Sequence, residues 1–595
     1  MKAGKKHADA EPGRRDFLKW TGAAVGGALV LGAAFSQRAR HEIGPPAPPR
    51  RRRRHGHRTQ KPESSAGPTL TKFVDRLRIP SVISPSGLLD GVPFYDVNMV
   101  AFRKKLHRDL PPTTLWGYNA RYPGPIFEAR RGHPIAVRWR NSLPAHHILP
   151  LDTTIHGAGP SLPEVRTVVH LHGNKVLPDS DGYPEAWFTN GFGQTGPYFE
   201  NQVYHYANDQ QATTLWYHDH ALGITRLNIY AGLAGMYLLR DSVEDDLNLP
   251  SGPYEIPLMI QDRFFNADGS LLYPTQTPGD PDPRVPPLWI PEFFGDTVLV
   301  NGKIWPFLKV EPRKYRFRIL DSSNARFYHL TLNEANARGE PTGRPGPPFF
   351  QIGSDGGFLP APVRLNEITI APAERLDVII DFSGADGKVF VLNNDAKAPF
   401  PDGDDVVPTD VMMFKVTRRL RGRDTSSLPT SLAPVPLLEA SSAVKTRDLV
   451  LSEQDSDAGS PIIALINTHW DEPVTEDPEA GSVEVWRLVN TTEDAHPIHV
   501  HLVQFQVLDR QPFDVAQFPD RLVFTGPAVQ PPRNERPAFK DTVQSFPGEV
   551  TRIIAKFDLP SGTPVNRGDR FRYVFHCHIV EHEENQMMRP YDVVG

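Results

Sequence analysis

Pro134-Ile135-Ala136-Val137-Arg138-Trp139 reads as a strand, and Val550 to Phe557 repeats the type near the other end of the chain. Short runs of Val, Ile, Phe, Tyr and Thr recur between Pro/Gly turns, while long patterns of helical period are scarce. The chain is therefore expected to be all-β. An internal repeat divides it: Asn119 precedes Trp139-Arg140, Asn301 precedes Phe317-Arg318 and Asn467 precedes Trp486-Arg487, with gaps of 20, 16 and 19 residues. Each of the three related units is expected to form one β-sandwich.

At 595 residues the chain exceeds what one core supports, and length alone suggests about four units with any leader included. Glycine (46) and proline (61) make about 18% of it, below the roughly 25% of low-complexity chains. Hydrophobic residues at 39% and aromatics at 10% can fill cores. A formal net charge of −5 offers nucleic acid no global attraction. No stretch beyond the leader approaches the roughly 20 apolar residues of a spanning helix. Neither nucleic-acid binding nor a transmembrane helix in the mature protein is expected.

In residues 1–36, Arg14-Arg15-Asp16-Phe17-Leu18-Lys19 precedes an apolar, Gly/Ala-rich stretch from Thr21 to Ser36. This resembles a twin-arginine export signal, which implies a secreted, periplasmic or cell-surface protein exported already folded and loaded with its cofactor. Residues 37–67 hold Gly44-Pro45-Pro46-Ala47-Pro48-Pro49 and the run Arg50 to Arg54, a composition expected to be a solvated, disordered tether. The folded units are expected at 68–245, 246–417 and 443–595, with a Ser/Pro/Arg-rich linker at 418–442.

Cys577 is the single cysteine, so counting excludes an intramolecular disulfide and every multi-cysteine zinc or iron–sulfur site. Four His-X-His pairs stand out: His170-Leu171-His172, His218-Asp219-His220, His499-Val500-His501 and His576-Cys577-His578. On a strand, residues i and i+2 share a face, so each pair offers two imidazoles roughly 7 Å apart on one side. Four such strands could surround a metal cluster. The first and third units carry two pairs each. The middle one has only His329 in Tyr328-His329-Leu330 and reads as a spacer without metal.

Imidazole suits copper, zinc, iron and nickel alike, so the cysteine narrows the choice. Cys577 points away from its two histidine neighbours and is followed by His582 and Met587 in a Cys-x4-His-x4-Met spacing. His496 stands three residues before His499, an offset that reverses the face and frees it to join Cys577. Two imidazoles, a thiolate and a distant thioether are the trigonal set of blue copper. Met588 competes with Met587 for the thioether role, and spacing favours Met587.

These residues resemble the multicopper oxidases: Trp216-Tyr217-His218-Asp219-His220, His496-Pro497-Ile498-His499-Val500-His501 and His576-Cys577-His578-Ile579-Val580-Glu581-His582 look like three of that family's copper signatures, and His170-Leu171-His172-Gly173 completes the set. Asp181-Gly182-Tyr183-Pro184-Glu185-Ala186-Trp187-Phe188 and Val507-Leu508-Asp509-Arg510 resemble its bacterial spore-coat laccase and bilirubin oxidase branch. The likeness runs from about Pro68 to the C-terminus. It implies three cupredoxin-like Greek-key domains and four copper ions. A type 1 ion would sit at His496, Cys577, His582 and Met587, and a type 2 ion at His170 and His499. A type 3 pair would take His172, His218 and His578 with His220, His501 and His576, the division between its two ions staying open. The set uses ten of the 22 histidines.

The resemblance further implies a laccase-like enzyme whose partners are dioxygen, reduced to water, and a small reducing substrate: a phenol, an aryl amine or a tetrapyrrole. Glu583 and Asp181 match acidic positions near the oxygen channels of that branch, which implies proton delivery. An axial methionine implies a low or medium type 1 potential. The alternatives are a metallo-oxidase for Mn(II) or Cu(I), and a copper-binding or coat structural protein. The 8 methionines form no cluster of the kind that binds Cu(I), and the leader counts against a coat role.

Overall fold

A computed structural model describes residues 67–595 apart from 275–287, 289, 406–408 and 456–460. The export leader and, but for Gly67, the tether lie outside the described residues. Six sheets hold the strands, paired into three sandwiches. The first joins a five-stranded sheet built on Val92–Lys104 and Ile135–Asn141 to a four-stranded sheet ordered Phe127–Arg130, Ala234–Arg240, Thr213–Asp219, Val169–His172. Val97, Trp139, Leu215, Tyr217 and Tyr237 fill the space between them. The second pairs an eight-stranded with a six-stranded sheet, and the third a five-stranded with a four-stranded sheet. In the third, Trp486, Ile553, Ile498 and Phe575 share one core.

The repeat seen in the sequence has a structural cause. Asn119, Asn301 and Asn467 all adopt left-handed backbone, φ 52°, 50° and 62°, a conformation asparagine tolerates better than most residues. Each side-chain oxygen accepts a strand N–H: Asn98 at 2.9 Å, Met259 at 2.9 Å and Val450 at 2.7 Å. The strand so pinned then runs parallel to the one bearing the aromatic–arginine pair. Val97 lies opposite Trp139, Ile256 opposite Phe317 and Arg447 opposite Trp486.

Strand alternation sorts the functional side chains. Val169 and Leu171 enter the first core, as do Leu215 and Tyr217, so His170, His172 and His218 lie on the opposite face. In the third sandwich Ile498, Val500, Tyr573, Phe575 and Cys577 face inward. Val574 instead packs with Ile155, Val168 and Trp187 of the first sandwich, and His576 shares its face. The outer faces of the two four-stranded sheets thus meet.

Residues 417–439 carry no helix or strand. They are nonetheless pinned along the second and third sandwiches, through Ser427 N–H to the Asn248 carbonyl at 2.8 Å and Leu438 N–H to Gln506 Oε1 at 2.9 Å. Among the described residues no helix is long and apolar enough to cross a membrane.

Candidate metal centre

Register brings the histidine pairs together. His170 lies directly across from His218, and His499 directly across from His576. His220, His501 and His578 follow just past the ends of their strands. All ten predicted histidines are at most 1% exposed. Their ring nitrogens converge in groups whose donor atoms lie within 4.8 Å of one another: His170, His172 and His499; His172, His218 and His578; His220, His501 and His576.

Hydrogen bonds on the far side of each ring fix which nitrogen faces inward. Nδ1 of His170 donates to the Asp181 carbonyl at 2.6 Å, that of His218 to the Asp219 carbonyl at 2.8 Å and that of His499 to the Asp541 carbonyl at 2.7 Å. Nδ1 of His501 donates to Asp181 Oδ2 at 2.7 Å. The Nε2 atoms of these four rings are buried without a partner. Such an orphaned set is costly unless something binds it, and orienting a ring through its other nitrogen is how metal-binding histidines are held. Burial, the largest cause, holds His172, His218, His220, His499, His501 and His578 well below the usual imidazole range. They are neutral and free to bind a cation.

A second group forms inside the third sandwich. Cys577 Sγ is 3.6 Å from His496 Nδ1 and 3.9 Å from His582 Nδ1, and the two Nδ1 atoms are 3.3 Å apart. His496 Nε2 meets Thr492 Oγ1 at 2.6 Å, which leaves Nδ1 facing the sulfur. Burial pushes the Cys577 thiol well up and His582 down to about 3. A bound cation reverses the thiol's preference by displacing its proton. Met587 is fully buried in the same core as Cys577, and its carbonyl accepts the Cys577 N–H at 2.9 Å.

The two acidic candidates lie at the larger group. Besides holding His170 and His501, Asp181 is fully buried. Glu583, 1% exposed, places Oε1 at 3.4 Å from His220 Nδ1 and Oε2 at 3.1 Å from His576 Nδ1. Several contributors had no spacing to reveal them. Asp541 and Thr542 touch His172 Nε2, each at 3.1 Å. Glu453 Oε1 lies 3.8 Å from Nε2 of both His496 and His582, and Glu292 Oε1 lies 3.9 Å from His582 Nε2.

Two family models described as multicopper oxidase match residues 161–244 and 445–594. The chain is 51% identical to a laccase of Bacillus stratosphericus over 88% of its own length and 99% of the relative's. It is 48% identical to a laccase of Bacillus subtilis over the same shares.

The chain belongs to the multicopper oxidase family.

Its fold also matches the crystal structure of the McoA multicopper oxidase of Aquifex aeolicus, with TM-score 0.66, 28% identity, and coverage of 88% of this chain and 99% of that one. The three sandwiches are thus the cupredoxin-like domains of a multicopper oxidase, an oxidoreductase, and copper is the metal the family implies for the histidine groups. The residues present suit it: neutral imidazoles with bare nitrogens, and one thiol between two more imidazoles.

Proposed function

We propose that this oxidase holds four copper ions and couples one-electron oxidation of a small phenolic, aryl-amine or tetrapyrrole donor to the reduction of dioxygen to water. His496, Cys577, His582 and Met587 would hold the type 1 ion. His170 and His499 would hold the type 2 ion, and His172, His218, His578, His220, His501 and His576 the type 3 pair. The observation that carries the reading is the set of bare, buried ring nitrogens facing one another between the first and third domains. Copper bound there supplies the electron transfer and oxygen chemistry that no side chain can.

The chain's own residues do the rest. Cys577 is bonded through the backbone to His576 and His578, so one short peptide segment joins the two centres. Glu583, against two imidazoles of the cluster, and Asp181, holding two more, are placed to move protons there. The domain limits 68–245, 246–417 and 443–595, with 418–442 as linker, belong to the same reading, as does export through the Arg14-Arg15 leader.

Metal analysis of the purified protein is expected to give four copper ions per chain and a blue charge-transfer band that Cys577→Ser removes. Persistence of that band sinks the type 1 assignment. A second reading, oxidation of Mn(II), is favoured by the carboxylates of Glu453 and Glu292 beside His582, a hard oxygen set that suits Mn(II) rather than Cu(I). Oxygen uptake with phenols, bilirubin, Mn(II) and Cu(I) separates the two. Under the second, Glu453→Gln slows metal-ion oxidation and spares phenols.

A further inference from the structure

The middle domain contributes none of the eight histidines of the larger group, yet one of its buried side chains bears on them through Asp541. Arg375, fully buried on strand Arg375–Asp381, grips Asp541 of the third domain with both terminal nitrogens; Nη1 reaches Oδ1 at 2.7 Å. Its Nε donates to the Thr214 carbonyl of the first domain at 2.9 Å. Nη1 also donates to the Ala373 carbonyl at 3.0 Å and Nη2 to the Asp355 carbonyl at 3.2 Å. One planar guanidinium thus ties three domains together, with the fork geometry that lysine lacks.

Asp541 turns this tie toward the cluster. Its Oδ1, with Thr542 Oγ1, faces His172 Nε2, both at 3.1 Å. Both Asp541 oxygens already accept from the Arg375 guanidinium, so toward His172 the carboxylate again accepts, and the proton of His172 belongs on Nε2. Nδ1 is then left bare, and it is the nitrogen of this ring that has no partner. His170, His218, His499 and His501 use the opposite nitrogen. The main-chain oxygen of Asp541 meanwhile orients His499. Gly173, directly after His172, has φ +83°, and a Cβ there would lie 2.4 Å from Asp541 Oδ2 and 2.7 Å from Arg375 Nη2. The fourth residue of His-Leu-His-Gly is glycine because the ion pair occupies its side-chain space.

We propose that Arg375 and Asp541 are positioning residues that set the tautomer and orientation of His172 and the orientation of His499, so that the domain without copper governs assembly of the cluster in the other two. This rests on the cluster being the copper site. Outer partners of metal-bound histidines change metal affinity or activity by roughly 10- to 100-fold.

The test compares wild type, Asp541→Asn, Arg375→Lys and Glu484→Gln, the last breaking a buried ion pair with Arg447 that touches neither the histidines nor Arg375 and Asp541. Copper per chain, the blue band, the type 2 electron paramagnetic resonance signal and the melting temperature are measured on each. Asp541→Asn is expected to keep the blue band, to weaken copper retention by the cluster roughly 10- to 100-fold and to alter the type 2 signal. Arg375→Lys moves the same readouts in the same direction and decides the matter if Asp541→Asn does not accumulate. Glu484→Gln lowers only the melting temperature. If the first two variants likewise only melt earlier, with full copper and an unchanged type 2 signal, the pair is a domain tie and the proposal is overturned. A wild-type protein without cluster copper would overturn the underlying reading instead, before any variant is made.

Discussion

Glu583 stands against the outer nitrogens of two imidazoles at once, those of His220 and His576, and is almost wholly removed from water. A carboxylate there can hold a proton within reach of the cluster without binding metal itself. Glu583→Gln keeps the shape and removes the exchangeable acid. Turnover is expected to fall roughly 100-fold or more, the range of a lost general acid, with copper content intact; normal oxygen uptake at full copper would remove the role. Asp181 differs, because its carboxylate and carbonyl already hold His501 and His170. Asp181→Asn should therefore lower copper content as well as rate, which metal analysis distinguishes from the Glu583 phenotype.

At the scale of strands and turns, alternation makes two centres from one segment. Cys577 faces the core of its sandwich while His576 and His578 face the neighbouring domain. His499→Ala, on the cluster side, is expected to spare the blue band and abolish oxygen uptake, and undiminished uptake would refute its place there. The helical turn Val580–Glu584 carries His582 and Glu583 and is clamped from outside. Glu584 pairs with the Arg226 guanidinium and also accepts the Arg226 backbone N–H at 2.7 Å, and Glu581 accepts from Tyr273 at 2.7 Å and Asn324 at 2.9 Å. Burial pushes Glu584 up to about 7, so Glu584→Gln, which removes the carboxylate bonded to the buried Arg226, should cost most above that pH, about 1.5–3 kcal/mol by denaturant unfolding. The histidine pairs were legible because a two-residue period maps directly onto a strand face, and His496 because an odd offset reverses that face. Asp541, Arg375 and Glu584 were not. Their partners lie 369, 166 and 358 residues away along the chain, where no local period can encode them.

Across the whole molecule, the three-unit plan was legible from the recurring asparagine and aromatic–arginine pair, but not the contacts that lock the units together. Where the first domain meets the second, Glu244 is 7% exposed and its Oε1 lies 2.9 Å from Arg240 Nη1 and 2.6 Å from Arg316 Nη1, with Arg318 alongside. Burial alone would raise this carboxyl, but Arg318, Arg316 and Arg240 outweigh it and hold it below the usual 4.5. Glu255, bonded to Arg240 and Arg318, is shifted the same way. In the unfolded chain Glu244 takes up its proton near pH 4.5, whereas in the folded chain it does so only at lower pH. Just below 4.5 the unfolded state therefore binds more protons, and stability, complete above that pH, falls as acid is added until the folded carboxyl is itself protonated. Glu244→Gln removes the titrating group while Glu255 and Asp377 still face the three arginines: the variant should be about 1.5–3 kcal/mol less stable at neutral pH, with a shallower loss between pH 5 and 3 than wild type. Parallel unfolding curves for the two proteins across that window would show that the junction does not draw its strength from this charge.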